Sequence, residues 1–243
     1  MKVNRVYRYS DEFSGKLVSY DTKKKPSWVR FESDINIQFL RADHEGIQYW
    51  FRRYFQDYFL ILNAAPSDYA SYYDEIANTY NAMVPQNNEI ADFIIKKMHD
   101  HISKNAHILE LSAGTGILSK KIVPEWSNLT ITDISPKCLE IAKRETHLSD
   151  KNIIVADILK FSAKKKFDAI VELMGLDYFS DDEMEKIALN VLSKLHKNGI
   201  AIFVDRHHYT SFEKRLNVLE KGFFDIETPT GTFPYAYMIA TKK

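Results

Sequence analysis

From residue 107 onward, short apolar runs alternate with stretches of helical periodicity. "HILELS" leads into a predicted helix near 116–126, and "NLTITD" into one near 136–147. "NIIVAD" is followed by the lysine loop "AKKK", and "FDAIVELM" by a helix near 181–196. "GIAIFVD" precedes a helix near 210–220, and the runs "GFFDIET" and "YAYMIATKK" close the chain. Strand–helix alternation of this kind implies βαβ units, hence a parallel sheet with helices on both faces. The turn-forming "PTGTFP" (229–234) leaves no room for a helix between the last two strands. They form a hairpin, so one strand at the end is antiparallel.

The first hundred residues have a different texture. "VYRYS", "KLVSYD" and "WVRFES" with "INIQF" alternate apolar and polar positions, predicting two or three half-buried strands. Residues 44–62 suit a helix: Phe51, Phe55, Tyr58 and Leu62 recur at helical spacing, with Trp50 and Tyr54 beside them. That aromatic stripe is expected to pack as core; the alternatives are a lid over a pocket or a homodimer face. "NAAPSD" (63–68) punctuates, "YASYYDEIANTYNAMVP" reads as a helix ending near Pro85, and a helix over 87–101 follows. The expected organisation is an extension over 1–66 and a core over 67–243.

Composition narrows the functional classes. The chain has 243 residues, 45% apolar and 27% charged, which suits one large domain or a core with a modest appendage. A formal net charge of zero gives no global drive toward nucleic acid or an anionic membrane. The balance is uneven, since residues 1–30 carry Lys2, Arg5, Arg8, Lys16, Lys23, Lys24, Lys25 and Arg30 against Asp11, Glu12 and Asp21. The single cysteine, Cys138, cannot form an internal disulfide, and no apolar run is long enough to span a bilayer. The expectation is a soluble, cytoplasmic protein. No metal site is expected either: His99, Asp100 and His101 are successive on a helix and point apart.

The chemistry concentrates in "HILELSAGTGILSKKI" (107–122), a strand, a glycine turn and a helix. Read as G-x-G-x-x-G, it has Gly114 and Gly116 but Ser119 in the third place. Read as acidic-x-G-x-G-x-G, it has Glu110, Gly114 and Gly116 but Ser112 in the first glycine's place. Both readings share a mechanism: glycines let the backbone turn sharply toward a ligand, and the next helix offers unpaired N–H groups. Three features favour the second. Glu110 would repel a pyrophosphate but suits an ammonium. The turn begins about a hundred residues in, leaving little chain for a dehydrogenase's substrate domain. A closing hairpin is also not how dinucleotide folds usually end.

Residues 70–243 resemble a class I methyltransferase dependent on S-adenosylmethionine (SAM). The resemblance rests on "ELSAGTG", on "TITDIS", on "VADIL", on "YYDEIANTY" and on "LHKNGIAIFV", in that family's order. It implies a seven-stranded, mostly parallel sheet with a reversed final strand. It further implies that Glu110, Ser112, Gly114 and Gly116 form the methionine end of the cofactor site. Asp133 would bind both ribose hydroxyls, Asp157 would accept from the adenine amino group, and Ile134 and Ile158 would sandwich the ring. Tyr73 or Tyr80 would reach the cofactor's carboxylate. Structural alternatives stand beside these: Asp133 and Asp157 as helix caps, and the two tyrosines as core aromatics.

Acceptor-side candidates lie where the fourth and fifth strands end, because ligands in open α/β sheets bind beyond the carboxyl ends of strands. "VELMGLDYFS" offers Glu172 to orient an acceptor or take its proton and also as a residue of the cofactor site, followed by Asp177 and Tyr178. "VDRHHY" offers Asp205, His207 and His208, and a histidine with a pKa near 6.5 suits a base at neutral pH. Adjacent histidines are also common on surfaces. "ELMG" is not the D/N-P-P-F/Y that grips nucleobase or glutamine amides. The expected activity is therefore methyl transfer from SAM to a small molecule, at oxygen, nitrogen or carbon, releasing S-adenosylhomocysteine (SAH). Alternatives are an RNA or protein acceptor met by the basic N-terminal segment, a SAM-binding protein without transferase activity, and an NAD-dependent oxidoreductase.

Overall fold

The computed structural model describes residues 3–8, 39–44, 47–54, 58–62, 69–161, 165–176, 179, 181–205, 209–228 and 231–242. The chain divides into two compact units, Met1–Asp68 and Tyr69–Lys243.

In the first unit, β1 (Val3–Arg8), β2 (Phe39–His44), β3 (Ile47–Tyr54) and β4 (Tyr58–Leu62) form a four-stranded antiparallel sheet in chain order. This corrects the helix expected over 44–62. His44 pairs with Ile47 and Tyr54 with Tyr58, so the segment folds back twice on itself. Aromatic and aliphatic residues fill eleven of the nineteen positions over 44–62, densely enough to satisfy a period of 3.6 and a period of 2 alike. Its Trp, Tyr, Phe and Ile residues favour a pleated surface. "KLVSYD" and "WVRFES" lie outside the described residues.

The second unit begins with α1 (Tyr69–Ile76), α2 (Tyr80–Met83) and α3 (Asn87–His101). The continuous helix expected before Pro85 is broken, because Thr79 turns back on Ile76 O through its N–H (2.9 Å) and its hydroxyl (3.1 Å). Then come β5 (Ile108–Leu111), α4 (Ile117–Ile122), β6 (Leu129–Asp133), α5 (Pro136–Thr146), β7 (Ile153–Val155) and β8 (Phe167–Leu173). They are followed by α6 (Asp181–Ser193), β9 (Leu195–Asp205), α7 (Thr210–Glu213), β10 (Leu216–Thr228) and β11 (Gly231–Lys242).

The seven strands are ordered β10-β11-β9-β8-β5-β6-β7. Neighbours from β9 to β7 are parallel; β11 runs antiparallel to both β9 and β10 and is the one reversed strand. The mostly parallel seven-stranded sheet with a reversed last strand is therefore as expected. The helix expected over 210–220 ends at Glu213, because Leu216–Thr228 pairs along its length with Lys242–Gly231, with one register shift between Val218 and Glu220.

Strand residues alternate between two apolar layers, as the pleat requires. Ile108, Ile131, Val171, Ile202 and Ile239 join a layer with Ile94 of α3, Leu118 of α4 and Leu139 of α5. Leu109, Ile170, Phe203 and Met238 join the opposite layer, with Ile187 of α6 and Phe212 of α7. Strands buried on both faces read as near-continuous apolar runs, which is why they were legible.

Ile239, fully buried in the reversed strand opposite Ile202, ties β11 to the parallel body. Ile239→Ala is expected to cost about 2–5 kcal/mol, read as a lower midpoint in urea unfolding. An unchanged midpoint would show that β11 contributes no packing to the sheet.

Candidate functional site

At the end of β5 the chain takes a left-handed backbone three times within five residues: Ser112 (φ 50°), Gly114 (φ 55°) and Gly116 (φ 85°). Glycine adopts that region without penalty, whereas a residue with a side chain rarely does. At Gly116 there is also no space, because a Cβ would stand 3.0 Å from Ala142 of α5. The turn is pinned internally by Gly116 N donating to Ala113 O (2.9 Å) and laterally by Ala113 N donating to Thr132 O (2.8 Å).

Asp133 ends the neighbouring strand β6. Its Oδ2 accepts from Gly114 N (2.8 Å) and its Oδ1 from Ser135 N (2.9 Å). The carboxylate thus joins the glycine turn to the start of α5. Ile134 N–H is a further backbone donor to this carboxylate, which can accept about four hydrogen bonds in all. Asp133 is buried, and burial raises its pKa against the lowering effect of those N–H groups.

Glu110 is also buried, and its Oε2 accepts from Ser119 Oγ of α4 (2.6 Å). Burial pushes its pKa from the ordinary 4.5 up to about 8, with Asp133 adding a smaller like-charge effect. Glu110, Ser112 and Gly114 line a small cleft together with Tyr80, Asn87 and Leu173. Tyr80 lies over the turn, its Cε1 3.8 Å from where a Gly114 Cβ would be. Tyr73 meets Tyr80 edge-on at 5.9 Å between ring centroids.

Other residues hold this arrangement and were not singled out from the sequence. Asp74 of α1 accepts from Ser135 Oγ (2.5 Å) and Lys137 N (3.0 Å), tying α1 to the first turn of α5. Thr115 Oγ1 bonds Asn81 Oδ1, tying α2 to the glycine turn. Asp74 lies within the quoted "YYDEIANTY", yet its partner is visible only in three dimensions. Cys138 is buried beneath Tyr73 O (3.6 Å), and its thiol is pushed up to about 12, chiefly by burial. It packs rather than reacts.

Asp157 follows β7, next to Asp133, since Ala156 N donates to Asp133 O (2.8 Å). Asp157 Oδ1 accepts from Leu159 N (2.9 Å), and Ile134 and Ile158 are half-buried at the same end of the sheet. Glu172 and Asp205, both wholly buried, end β8 and β9. Glu172 Oε1 accepts from Gly175 N, and Asp205 Oδ2 from Leu176 N (2.8 Å). Asp177, Tyr178, His207 and His208 lie outside the described residues, as does most of the basic N-terminal segment. Among the described residues, no group of three His, Cys, Asp or Glu side chains is placed to hold a metal ion. No described helix is long and apolar enough to cross a membrane.

Residues 108–199 match a family described as a methyltransferase domain. The malonyl-[acyl-carrier protein] O-methyltransferase 1 of Ilyobacter polytropus is 32% identical over 142 residues, covering 57% of this chain and 52% of that protein. Nodulation protein S of Rhizobium tropici is 27% identical over 135 residues, covering 50% of this chain and 56% of that one. The chain thus spans about half the length of the curated relatives it matches. Among solved structures, the N-methyltransferase NodS from Bradyrhizobium japonicum superposes with a TM-score of 0.54 at 20% identity, covering 65% of this chain and 98% of that one. DhpI, solved as a complex with SAH, superposes with a TM-score of 0.54 at 18% identity, covering 71% of this chain and 94% of that chain.

The buried Glu110 makes stability depend on pH. The folded protein holds this proton up to about pH 8, whereas the unfolded chain releases it near 4.5. Between those values the folded state binds more protons, so this group's contribution falls as pH rises. Glu110→Gln cannot ionise. Between about pH 5 and about pH 8 the ligand-free wild type is expected to lose on the order of a few kcal/mol more than the variant. Thermal melts of both across that range check it, and parallel curves would refute it.

Proposed function

The chain carries a class I methyltransferase domain of Rossmann-like fold, and from that premise we propose that it binds SAM at the glycine turn and methylates a small-molecule acceptor. The observation that carries this reading is Asp133: a buried carboxylate fixed between Gly114 N and Ser135 N at the end of β6, beside the glycine turn. Two oxygens at a fixed spacing suit the vicinal ribose diol.

The residues around Asp133 fit the rest of the ligand. Glu110, protonated at neutral pH when nothing faces it, would ionise against an ammonium at the methionine end. Tyr80, over Gly114, and Tyr73 beside it would address the carboxylate. Asp157 would accept from the adenine amino group, with Ile134 and Ile158 on the two ring faces. Gly114 and Gly116 hold the left-handed backbone that shapes this turn, and Gly116 lets it pack closely on Ala142.

When bound, SAM supplies a methyl group already activated by its sulfonium. The chain's own task is then to hold an acceptor in line and to exclude water. The carboxyl ends of β8 and β9 border the crevice where open α/β sheets take their ligands, and Glu172 and Asp205 lie there. His207 and His208 follow β9 and are the proposed proton acceptors for a hydroxyl or ammonium acceptor. A small-molecule acceptor is supported by the lack of a D/N-P-P-F/Y stretch after β8. The O-methyltransferase activity of the Ilyobacter polytropus relative supports methyl transfer itself.

Calorimetric titration with SAM, SAH and NAD tests the reading. SAM and SAH are expected to bind in the micromolar range and NAD not at all. Asp133→Ala is expected to weaken both by about tenfold to hundredfold, the loss of one or two hydrogen bonds to a charged group. Binding of NAD with silence toward SAM and SAH would overturn the reading.

A further inference from the structure

The loop after β8 is held by its backbone N–H groups. Three successive backbone N–H groups are bonded: Met174 N to Val204 O (2.9 Å), Gly175 N to Glu172 Oε1 and Leu176 N to Asp205 Oδ2 (2.8 Å). Glu172 and Asp205 are both fully buried, a costly place for a carboxylate unless its oxygens receive donors. Both carboxylates spend an oxygen on this loop's backbone.

The loop also bears directly on the cofactor turn. A Cβ on Gly175 would overlap Ser112 Cβ, lie 2.5 Å from Ser112 Oγ and come within 3.3 Å of Glu172 Oε1. Ser112 in turn lines the cleft and holds the left-handed backbone that a side chain disfavours. It stands where the acidic-x-G-x-G-x-G pattern has its first glycine. The side chain that Ser112 adds is accommodated by the one that Gly175 lacks.

We propose that Ser112 and Gly175 are a matched pair that locks the cofactor turn to the wall after β8, with Glu172 and Asp205 as the positioning residues that hold this wall. The proposal rests on the cofactor reading above. In it, Glu172 acts through the backbone of Gly175 instead of taking the acceptor's proton. The turn and the wall move as one body, so a change at the wall is felt as a change in cofactor affinity.

The test is a double-mutant cycle read by SAH titration, on wild type, Gly175→Ala, Ser112→Gly and the double variant. In the wild-type background, Gly175→Ala is expected to weaken SAH by about tenfold or more, or to prevent folding, as overpacking at a closed contact does. In the Ser112→Gly background, the same substitution is expected to fold and to cost less than about threefold. A second pair separates positioning from a charge effect. Glu172→Gln keeps an oxygen for the Gly175 N–H and is expected to recover most of the SAH affinity that Glu172→Ala loses. Equal costs of Gly175→Ala in both backgrounds, or a Gln variant as weak as the Ala variant, would overturn the proposal. Wild type that fails to bind SAH would overturn the cofactor reading as well, which keeps the two failures distinguishable.

Discussion

Everything at the candidate site depends on one buried carboxylate bridging two backbone segments. Asp133 accepts from Gly114 N of the glycine turn and from Ser135 N at the start of α5. Through Ser135 the link continues to Asp74 of α1, and through Ala156 N, which donates to the Asp133 carbonyl, it reaches the end of β7. Four segments are thus fixed relative to one residue. Charged acceptors paired with N–H donors make strong hydrogen bonds in a shielded setting, so the geometry is set before any ligand arrives.

The same device recurs along the carboxyl edge of the sheet. Glu110 is capped by Ser119 Oγ, Glu172 by Gly175 N and Asp205 by Leu176 N. Each of the four adjoining strands β6, β5, β8 and β9 carries a buried carboxylate at or near its end. Burying four acids is expensive, and the apolar layers beneath them must carry that cost. Ile94, Ile122 and Trp126 on one face, with Ile187, Phe203 and Phe212 on the other, are fully buried. A two-layer core is what lets the strand ends spend polar groups on a site.

The second unit was legible where local signals agree with tertiary context. β5, β6 and β8 read as strands because they are buried on both faces, and α5 has Ser135 capping Cys138 N with Pro136 next. The glycine turn was legible because left-handed backbone selects glycine at Gly114 and Gly116. Where periodicity is degenerate, reading failed. The aromatic run over β3 and β4 fits either period, and only pairing across the hairpins decides between them. Similarly, α7 stops at Glu213 because β10 has a partner in β11, a fact no local window contains. Tertiary contacts between distant segments, such as Ser112 against Gly175 or Asp74 on Ser135, leave no mark in the sequence beyond a small residue and an acid.

The most direct measurement is a crystal structure of the protein with SAH bound. The account predicts both ribose hydroxyls within about 2.5–3.2 Å of the Asp133 carboxylate oxygens, with the amino-acid end between Glu110 and Tyr80 and the adenine beside Asp157. SAH bound away from the glycine turn, or bound there with its ribose pointing away from Asp133, would contradict it.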